Sequence, residues 1–448
     1  MARDGDAILA ELTALIPGVA LDANPRLAIA GVVPLVQVRP TTVAELEEIV
    51  GWASRRGMRV AAVGGRTKLG VGNPPSRLDV VLETTALDSI SEYDPEDLVL
   101  TAQAGVTIDK LQSLVSQDSL VLPLDPQSSG RATLGGVVAC ADHGPRRRQY
   151  GGLRDIVLGL KAVLPDGSRV GFGGRTLKNV SGYDVGKVFI GSLGTIGVIT
   201  EVTVRLLPLP ASEETLLVGL PGLETARRFV ARILDSFLLP SSLELLSPAC
   251  AALLPLEHAL HPATDYLMLI ALEGHAAAVE RQVRDISLFC SELDPPAGTV
   301  HRASDAGVTP GQHWAAYNGV RDKALDATTG AAFRCTVPIQ PLWDLARAVE
   351  EQCAGNSLAV SYRMSCGTGC LEVYAAGPAA AVRAFAEEVR REAERQGGAL
   401  SVLDGWPVLG EDFDAWGTPR SDHVLMRAVK QKFDPTGIMN PGRFVEGL

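Results

Sequence analysis

Apolar residues follow different rhythms in the two halves of this chain. Near the amino end, Val43, Leu46, Val50 and Ala53 fall on one face of a helical period. Thr42 and Glu45 have the spacing of a capping box at its start, and Gly57 is placed to end it. Met58 to Val63 and Leu98 to Ala104 read as strands, and Ile108, Leu111 and Val115 mark a helix. Val157 to Leu164 is a strand, Pro165-Asp-Gly167 a turn, and Val198 to Leu207 another strand. Past Pro210 four units read strand, turn, helix: Leu216–Asp235, Tyr266–Phe289, Phe333–Gln352 and Leu371–Glu394. Such units predict a separate domain, a sheet covered by helices on one side. Leu400 to Trp416 reads as loop, and a last helix, around Asp422 to Lys432, ends at Asp434-Pro-Thr-Gly437.

Glycines punctuate the first half in a way that bears on ligands. The strand ending at Val63 runs into Gly64-Gly65-Arg66-Thr67-Lys68-Leu69-Gly70. A strand ending in glycines offers backbone N–H groups suited to an anion, and the same residues suit a plain tight turn. Gly135 and Gly136 open a run of small residues, and Gly191, Gly194 and Gly197 recur every third residue before the strand at Val198. Both patterns permit close backbone approach. The last is not a dinucleotide fingerprint, because its glycines precede a strand instead of following one.

Composition narrows the classes. A chain of 448 residues suggests two or three domains, and an apolar fraction of 46% is that of a globular protein. A net charge of −11 argues against nucleic acid as the main partner. The seven cysteines form no C-x-x-C, which fits a reducing compartment and no iron–sulfur cluster of the chain's own. The amino terminus M-A-R-D-G-D has no apolar signal core, and no apolar run reaches transmembrane length. The expectation is a cytoplasmic protein that could dock on the inner face of the cell membrane through a complex.

The stretch Gly182-Tyr-Asp-Val-Gly-Lys-Val-Phe-Ile-Gly-Ser-Leu-Gly-Thr-Ile-Gly-Val-Ile-Thr200 resembles the corresponding segment of flavoproteins with the vanillyl-alcohol-oxidase (PCMH) type FAD domain. Within that superfamily the chain is most similar to the FAD-binding subunits of bacterial glycolate oxidases. The similarity runs from Val33 to Pro210 and returns at Lys430 to Phe444. It implies an α+β fold: a PCMH-type FAD-binding domain of two subdomains over 33–210, then an α/β cap with an antiparallel sheet over 211–400. An amino-terminal segment, 1–32, precedes them, and a segment over 401–448 returns to the flavin.

The resemblance also implies a cofactor site. Gly64, Gly65, Arg66, Thr67, Lys68 and Leu69 correspond to the loop around the FAD pyrophosphate. Thr133, Leu134, Gly135, Gly136 and Val137 match the segment along the ribityl chain and phosphates, and Gly197, Val198 and Ile199 match backbone near the adenine. Asp434-Pro-Thr-Gly-Ile-Met-Asn-Pro-Gly-Arg443 matches the carboxyl-terminal motif, with Asn440 near the ring. Members with covalent FAD carry a histidine in the first glycine loop, which is absent here, and Cys140 and His143 match no linking position. Non-covalent FAD is therefore expected.

Related 2-hydroxyacid dehydrogenases carry H-x-G-D-G-N-x-H in the cap, where this chain has Ser361-Tyr-Arg-Met-Ser-Cys-Gly-Thr-Gly-Cys370 without histidine. Glu257-His258-x-x-His261 reads as a surface loop, and Cys366 and Cys370 as small buried side chains, so no metal site is assigned. Arg321 stands where related enzymes supply an arginine to the substrate carboxylate, and a helix-surface pair with Asp322 fits the same residues. Lys187 is a candidate neighbour of the flavin, and Tyr183 is expected to pack. Arg146-Arg-Arg148 reads as a solvated patch or as a face toward FAD phosphates or an acidic partner.

The implied function is oxidation of a small 2-hydroxy acid to the 2-oxo acid within a complex that includes an iron–sulfur subunit and a second flavin subunit. A stand-alone FAD oxidase or dehydrogenase, and a scaffold that keeps the fold without flavin, remain the alternatives.

Overall fold

In the computed structural model, residues 5–23, 25–176, 183–254, 266–293, 300–306, 309–325, 329–353 and 357–448 are described. Residues 177–182, which reach the first position of the resembling stretch, and Glu257, His258 and His261 lie outside them. The chain divides into two units, one of residues 1–143, 152–209 and 414–448, the other of 144–151 and 210–413.

In the first unit the capping box at Thr42 closes from both sides, and the helix Val43–Arg56 ends on Gly57 at φ 58°. It connects two strands of a four-stranded sheet, ordered Ala20–Asp22, Val36–Arg39, Val80–Glu83, Val60–Val63. The last three are parallel, as a helical crossover allows. Leu46, Ile49 and Val50 of the helix share a core with Ile8 and Leu12 of the helix Gly5–Leu15 and with Ile438 and Met439. The amino-terminal segment and the carboxyl end are thus parts of this unit. A five-stranded antiparallel sheet completes it, ordered Ile90–Asp94, Val99–Gln103, Val198–Arg205, Val157–Val163, Arg169–Gly173.

The second unit is built on one eight-stranded antiparallel sheet. Its strands lie in the order Val300–Arg302, Ser212–Leu220, Tyr266–Gly274, Ser242–Leu246, Ala359–Ser365, Cys370–Ala376, Gly330–Thr336, Ala399–Asp404. Apart from the short helix Pro248–Ala251 in the first, each half of the chain here runs strand, helix, strand, strand, helix, strand among the described residues, so the sheet is one arrangement used twice. Register puts Met268, Leu245, Met364, Leu371, Cys335 and Leu400 in one row across six strands. That row is fully buried, as a face under helices requires. The adjacent row begins at apolar Leu246 and continues as the polar residues Arg363, Glu372, Arg334 and Ser401.

Three expectations need correction. Leu400 to Trp416 is not a loop: it holds the strand Ala399–Asp404 and the short helix Trp406–Leu409, because Leu400 and Val402 alternate inward against Cys335 and Phe333. The carboxyl-terminal segment accordingly separates at 414, not at 401. Residues 144–151 leave the first unit for the second, where Arg146 pairs with Glu213 at 2.8 Å and Glu273 at 3.5 Å. Arg148 lies partly buried against Gly367. These ties replace the solvated patch.

Candidate cofactor site

A cleft opens in the first unit. Its walls come from both sheets. Gly64 to Leu69 leave the end of the strand Val60–Val63, and Ala104 follows the strand Val99–Gln103. Thr133, Gly135, Gly136, Ala139 and Cys140 come from the helix Leu134–Cys140 and its cap, where Thr133 accepts from the Gly136 N–H at 3.4 Å. Leu193, Gly194, Gly197 and Ile199 form a third wall, and Asn440 and Arg443 a fourth.

Of the residues singled out in the sequence, Gly64, Gly65, Arg66, Thr67, Lys68, Leu69, Thr133, Gly135, Gly136, Gly197, Ile199 and Asn440 line this cleft. Leu134, Val137 and Val198 do not; their side chains are core, at 0%, 3% and 1% exposure. Helix and strand alternation turns them away from the neighbours that face the cleft. Tyr183 does not pack and is 98% exposed. Lys187 is absent from the cleft and donates to the carbonyls of Arg154 and Val157 at 2.5 and 2.6 Å. Ile29, Thr84, Ala104, Ala139, Cys140, Leu193 and Arg443 were missed as lining residues. Arg443 carries a signal as the last position of the carboxyl-terminal motif, and Ala139 and Cys140 carry one as the end of the small-residue run that Gly135 and Gly136 open.

Three non-glycine wall residues hold left-handed backbone: Arg66 at φ 60°, Leu193 at 52° and Asn440 at 44°. Such conformations cost on the order of 1–3 kcal/mol each and gather at ligand clamps. The glycines divide into two kinds. A Cβ at Gly65 would fall 1.6 Å from the Arg131 carbonyl oxygen, and one at Gly135 2.5 Å from the Ala104 Cβ. There the close approach is between protein segments, so these glycines are required before any ligand arrives. At Gly136 the nearest atom is Thr133 Oγ1 at 3.1 Å, and at Gly194 it is the Gly197 carbonyl at 4.0 Å. These two keep the cleft open.

The carboxyl end is fastened by a buried lysine. Lys430 Nζ donates to the Thr195 carbonyl at 2.7 Å, the Met439 carbonyl at 2.8 Å and Asp434 at 2.7 Å. Burial lowers its pKa, and Asp434 opposes the shift. Asp434 also accepts from the N–H groups of Ile438 and Met439 at 3.1 and 2.8 Å. Asn440 is set by this clamp: its N–H donates to Val60 and its Nδ2 to Leu193, both at 2.6 Å, while Oδ1 has no partner. Arg443 Nε is likewise unpartnered and buried. Two orphaned polar atoms on nine-tenths-buried wall residues, with glycines holding the floor clear, fit a polar ligand such as FAD.

In the second unit Arg321 pairs with Asp322, Nε to carboxylate 3.8 Å, and the arginine of that pair is buried at 7% exposure while Asp322 is exposed. The polar row of the sheet is tied together. Glu372 accepts from Arg334 at 2.7 Å, Arg363 at 2.7 Å and the Tyr374 hydroxyl at 3.0 Å. Glu244 accepts from Ser365 at 2.7 Å and from the Tyr317 hydroxyl, and Arg363 lies 4.7 Å over the Tyr317 ring. Burial raises the Glu244 pKa to about 7, against the pull of Tyr317, Ser365 and Arg363. None of the seven cysteines forms a disulfide. Among the described residues no three metal-ligating side chains converge, and no helix is long and apolar enough to cross a membrane.

Fold and cleft together define a two-unit flavoprotein. The sequence matches the FAD binding domain over residues 34–173 and the C-terminal domain of FAD linked oxidases over 209–444. The chain belongs to the FAD-linked oxidases, and its cofactor is FAD. It is 27% identical over 426 residues to the glycolate oxidase subunit GlcD of Bacillus subtilis, covering 92% of this chain and 88% of that one. It is 28% identical to the D-lactate dehydrogenase of Archaeoglobus fulgidus over 92% of both chains. Against the mitochondrial D-2-hydroxyglutarate dehydrogenase of Danio rerio it is 26% identical, over 91% of this chain and 77% of that one. Among solved structures, p-cresol methylhydroxylase with substrate bound superposes with a TM-score of 0.74 at 16% identity, over 98% of this chain and 96% of that one. It shares the PCMH-type fold.

Proposed function

We propose that this chain is the FAD-binding subunit of a glycolate oxidase-like complex, which oxidises a small 2-hydroxy acid to the 2-oxo acid and passes electrons to an iron–sulfur partner. The observation that carries the reading is the cleft, whose open floor and orphaned donor and acceptor suit FAD. Relatives named for glycolate, D-lactate and D-2-hydroxyglutarate support the substrate class. FAD, when bound, supplies the acceptor for the two electrons lost by the substrate carbon.

The chain's own residues bind and orient. Gly64 to Leu69, Thr133, Gly135 and Gly136 hold the cofactor, and Gly197, Ile199 and Asn440 close the site around it. Arg321 is assigned the substrate carboxylate, which a buried guanidinium can meet with two parallel hydrogen bonds. The hairpin of Ala359–Ser365 and Cys370–Ala376 presents Arg363 and Glu372, locked to each other, and no histidine. Without a Lewis acid there, polarising the substrate hydroxyl loses a contribution worth several kcal/mol. A second flavin subunit with the metal motif intact would supply it.

The test is reconstitution. FAD-loaded chain is assayed with glycolate and D-lactate against an artificial dye, alone and with the iron–sulfur and second flavin subunits. Slow turnover alone and fast turnover assembled are expected. Full-rate turnover by the isolated chain would replace this reading with the stand-alone dehydrogenase, which the full-length match to D-lactate dehydrogenase favours.

A further inference from the structure

Three of the four cations at the cleft and its clamp face carboxylates. Lys68 lies 3.0 Å from Asp142, Arg66 3.0 Å from Glu83, and Lys430 2.7 Å from Asp434. Arg443 does not: its guanidinium donates to the carbonyls of Asn73 and Leu69, each at 3.1 Å, and of Val71. Among the described residues no carboxylate forms an ion pair with it, although it is only 3% exposed. Burial pushes its pKa down to about 10, with Cys140 opposing the shift. Its Nε has no partner, and the residue lines the cleft.

The three carbonyls belong to the chain that continues the loop Gly64 to Leu69. That segment answers in kind: the Asn73 N–H donates to the Arg443 carbonyl at 3.0 Å. Gly72, at φ 80°, runs so close that a Cβ would meet the same carbonyl at 2.6 Å. A buried cation satisfied only by dipoles gains when an anion is set beside it. FAD brings such an anion in its pyrophosphate.

We propose that Arg443 is a positioning residue for the cofactor's pyrophosphate: it ties down the carbonyls of Leu69, Val71 and Asn73, and it supplies the positive charge that the phosphates neutralise. The inference deepens the cofactor reading and is independent of the substrate. Wild-type binding of FAD tests that reading, and variants at Arg443 test this one.

Apo-protein is titrated with FAD, with ADP (pyrophosphate without the flavin ring) and with riboflavin (ring without phosphate), and the melting temperature of each apo variant is recorded. Arg443→Met is expected to weaken FAD and ADP by about 30-fold or more, the loss typical of removing one member of a buried charge pair, and to leave riboflavin unchanged. Arg443→Lys, which keeps the charge and loses the fork, is expected to recover part of the ADP affinity. Loss of FAD affinity without loss of ADP affinity would overturn the proposal. So would FAD binding within threefold of wild type, or an equal loss for FAD and riboflavin, which marks a merely structural role.

Discussion

Valine at Gly65 and valine at Gly136 separate the glycines that shape the protein from those that admit the cofactor. At Gly65 the new Cβ would sit 1.6 Å from the Arg131 carbonyl oxygen, roughly 1.8 Å inside ordinary contact. Backbone must move, at the 1–3 kcal/mol or more of an overpacked site. With about 2–4 °C per kcal/mol for a unit of this size, the apo melting temperature falls by roughly 2–12 °C. At Gly136 the residue is helical, and only Thr133 Oγ1, at 3.1 Å, crowds the Cβ. Glycine and valine differ by less than about 0.5 kcal/mol in helix preference, so apo stability stays within roughly 2 °C. The isopropyl group stands in the cleft, and FAD binding weakens by about 100-fold, or 2.8 kcal/mol. Fluorescence titration of apo-protein with FAD and thermal melts of the apo form check both halves. Gly136→Val that binds FAD within threefold of wild type, or Gly65→Val that melts like wild type, would refute the reasoning.

The pH response of the second unit should run through Glu244. Its pKa is raised from 4.5 to about 7, so it favours the folded state while protonated, and that contribution is lost as pH rises toward about 7. Apo stability is expected to fall between pH 5 and 8 by on the order of 3 kcal/mol from this group, and Glu244→Gln to flatten that fall in denaturant titrations. If Arg321 holds the substrate carboxylate, Arg321→Met raises KM strongly at unchanged FAD content; an unchanged KM in steady-state assays removes it from the site. Acid precipitation should leave all flavin in the supernatant, and yellow colour in the pellet would mean a covalent link.

The sequence made visible what depends on local pattern. The capping box at Thr42 and the four strand–helix units of the second unit come from spacing alone, because periodicity and caps act within a few residues. The glycine loops were legible as a place where backbone approaches something, though not as what it approaches. Gly65 and Gly135 meet protein, which becomes apparent only when Arg131 and Ala104 are brought beside them. The polar row Arg363, Glu372 and Arg334 was hidden for a related reason: cross-strand partners are far apart in the chain, and register decides who meets whom. Leu400 to Trp416 reads as loop because its inward alternation is short and lies between Gly398 and Gly405, with the short helix after it capped by Gly405 and Gly410. Residues 144–151 gave no sign of changing units, since the Arg146 partners Glu213 and Glu273 are equally remote in sequence.

The most direct measurement of the central claim is anaerobic. Protein loaded with FAD is mixed with glycolate or D-lactate, and the loss of the flavin's visible absorbance is followed, first for the chain alone and then for the assembled complex. The account predicts slow bleaching alone and fast, complete bleaching in the complex. An oxidised flavin on this chain in both states, with every 2-hydroxy acid tried, would contradict it.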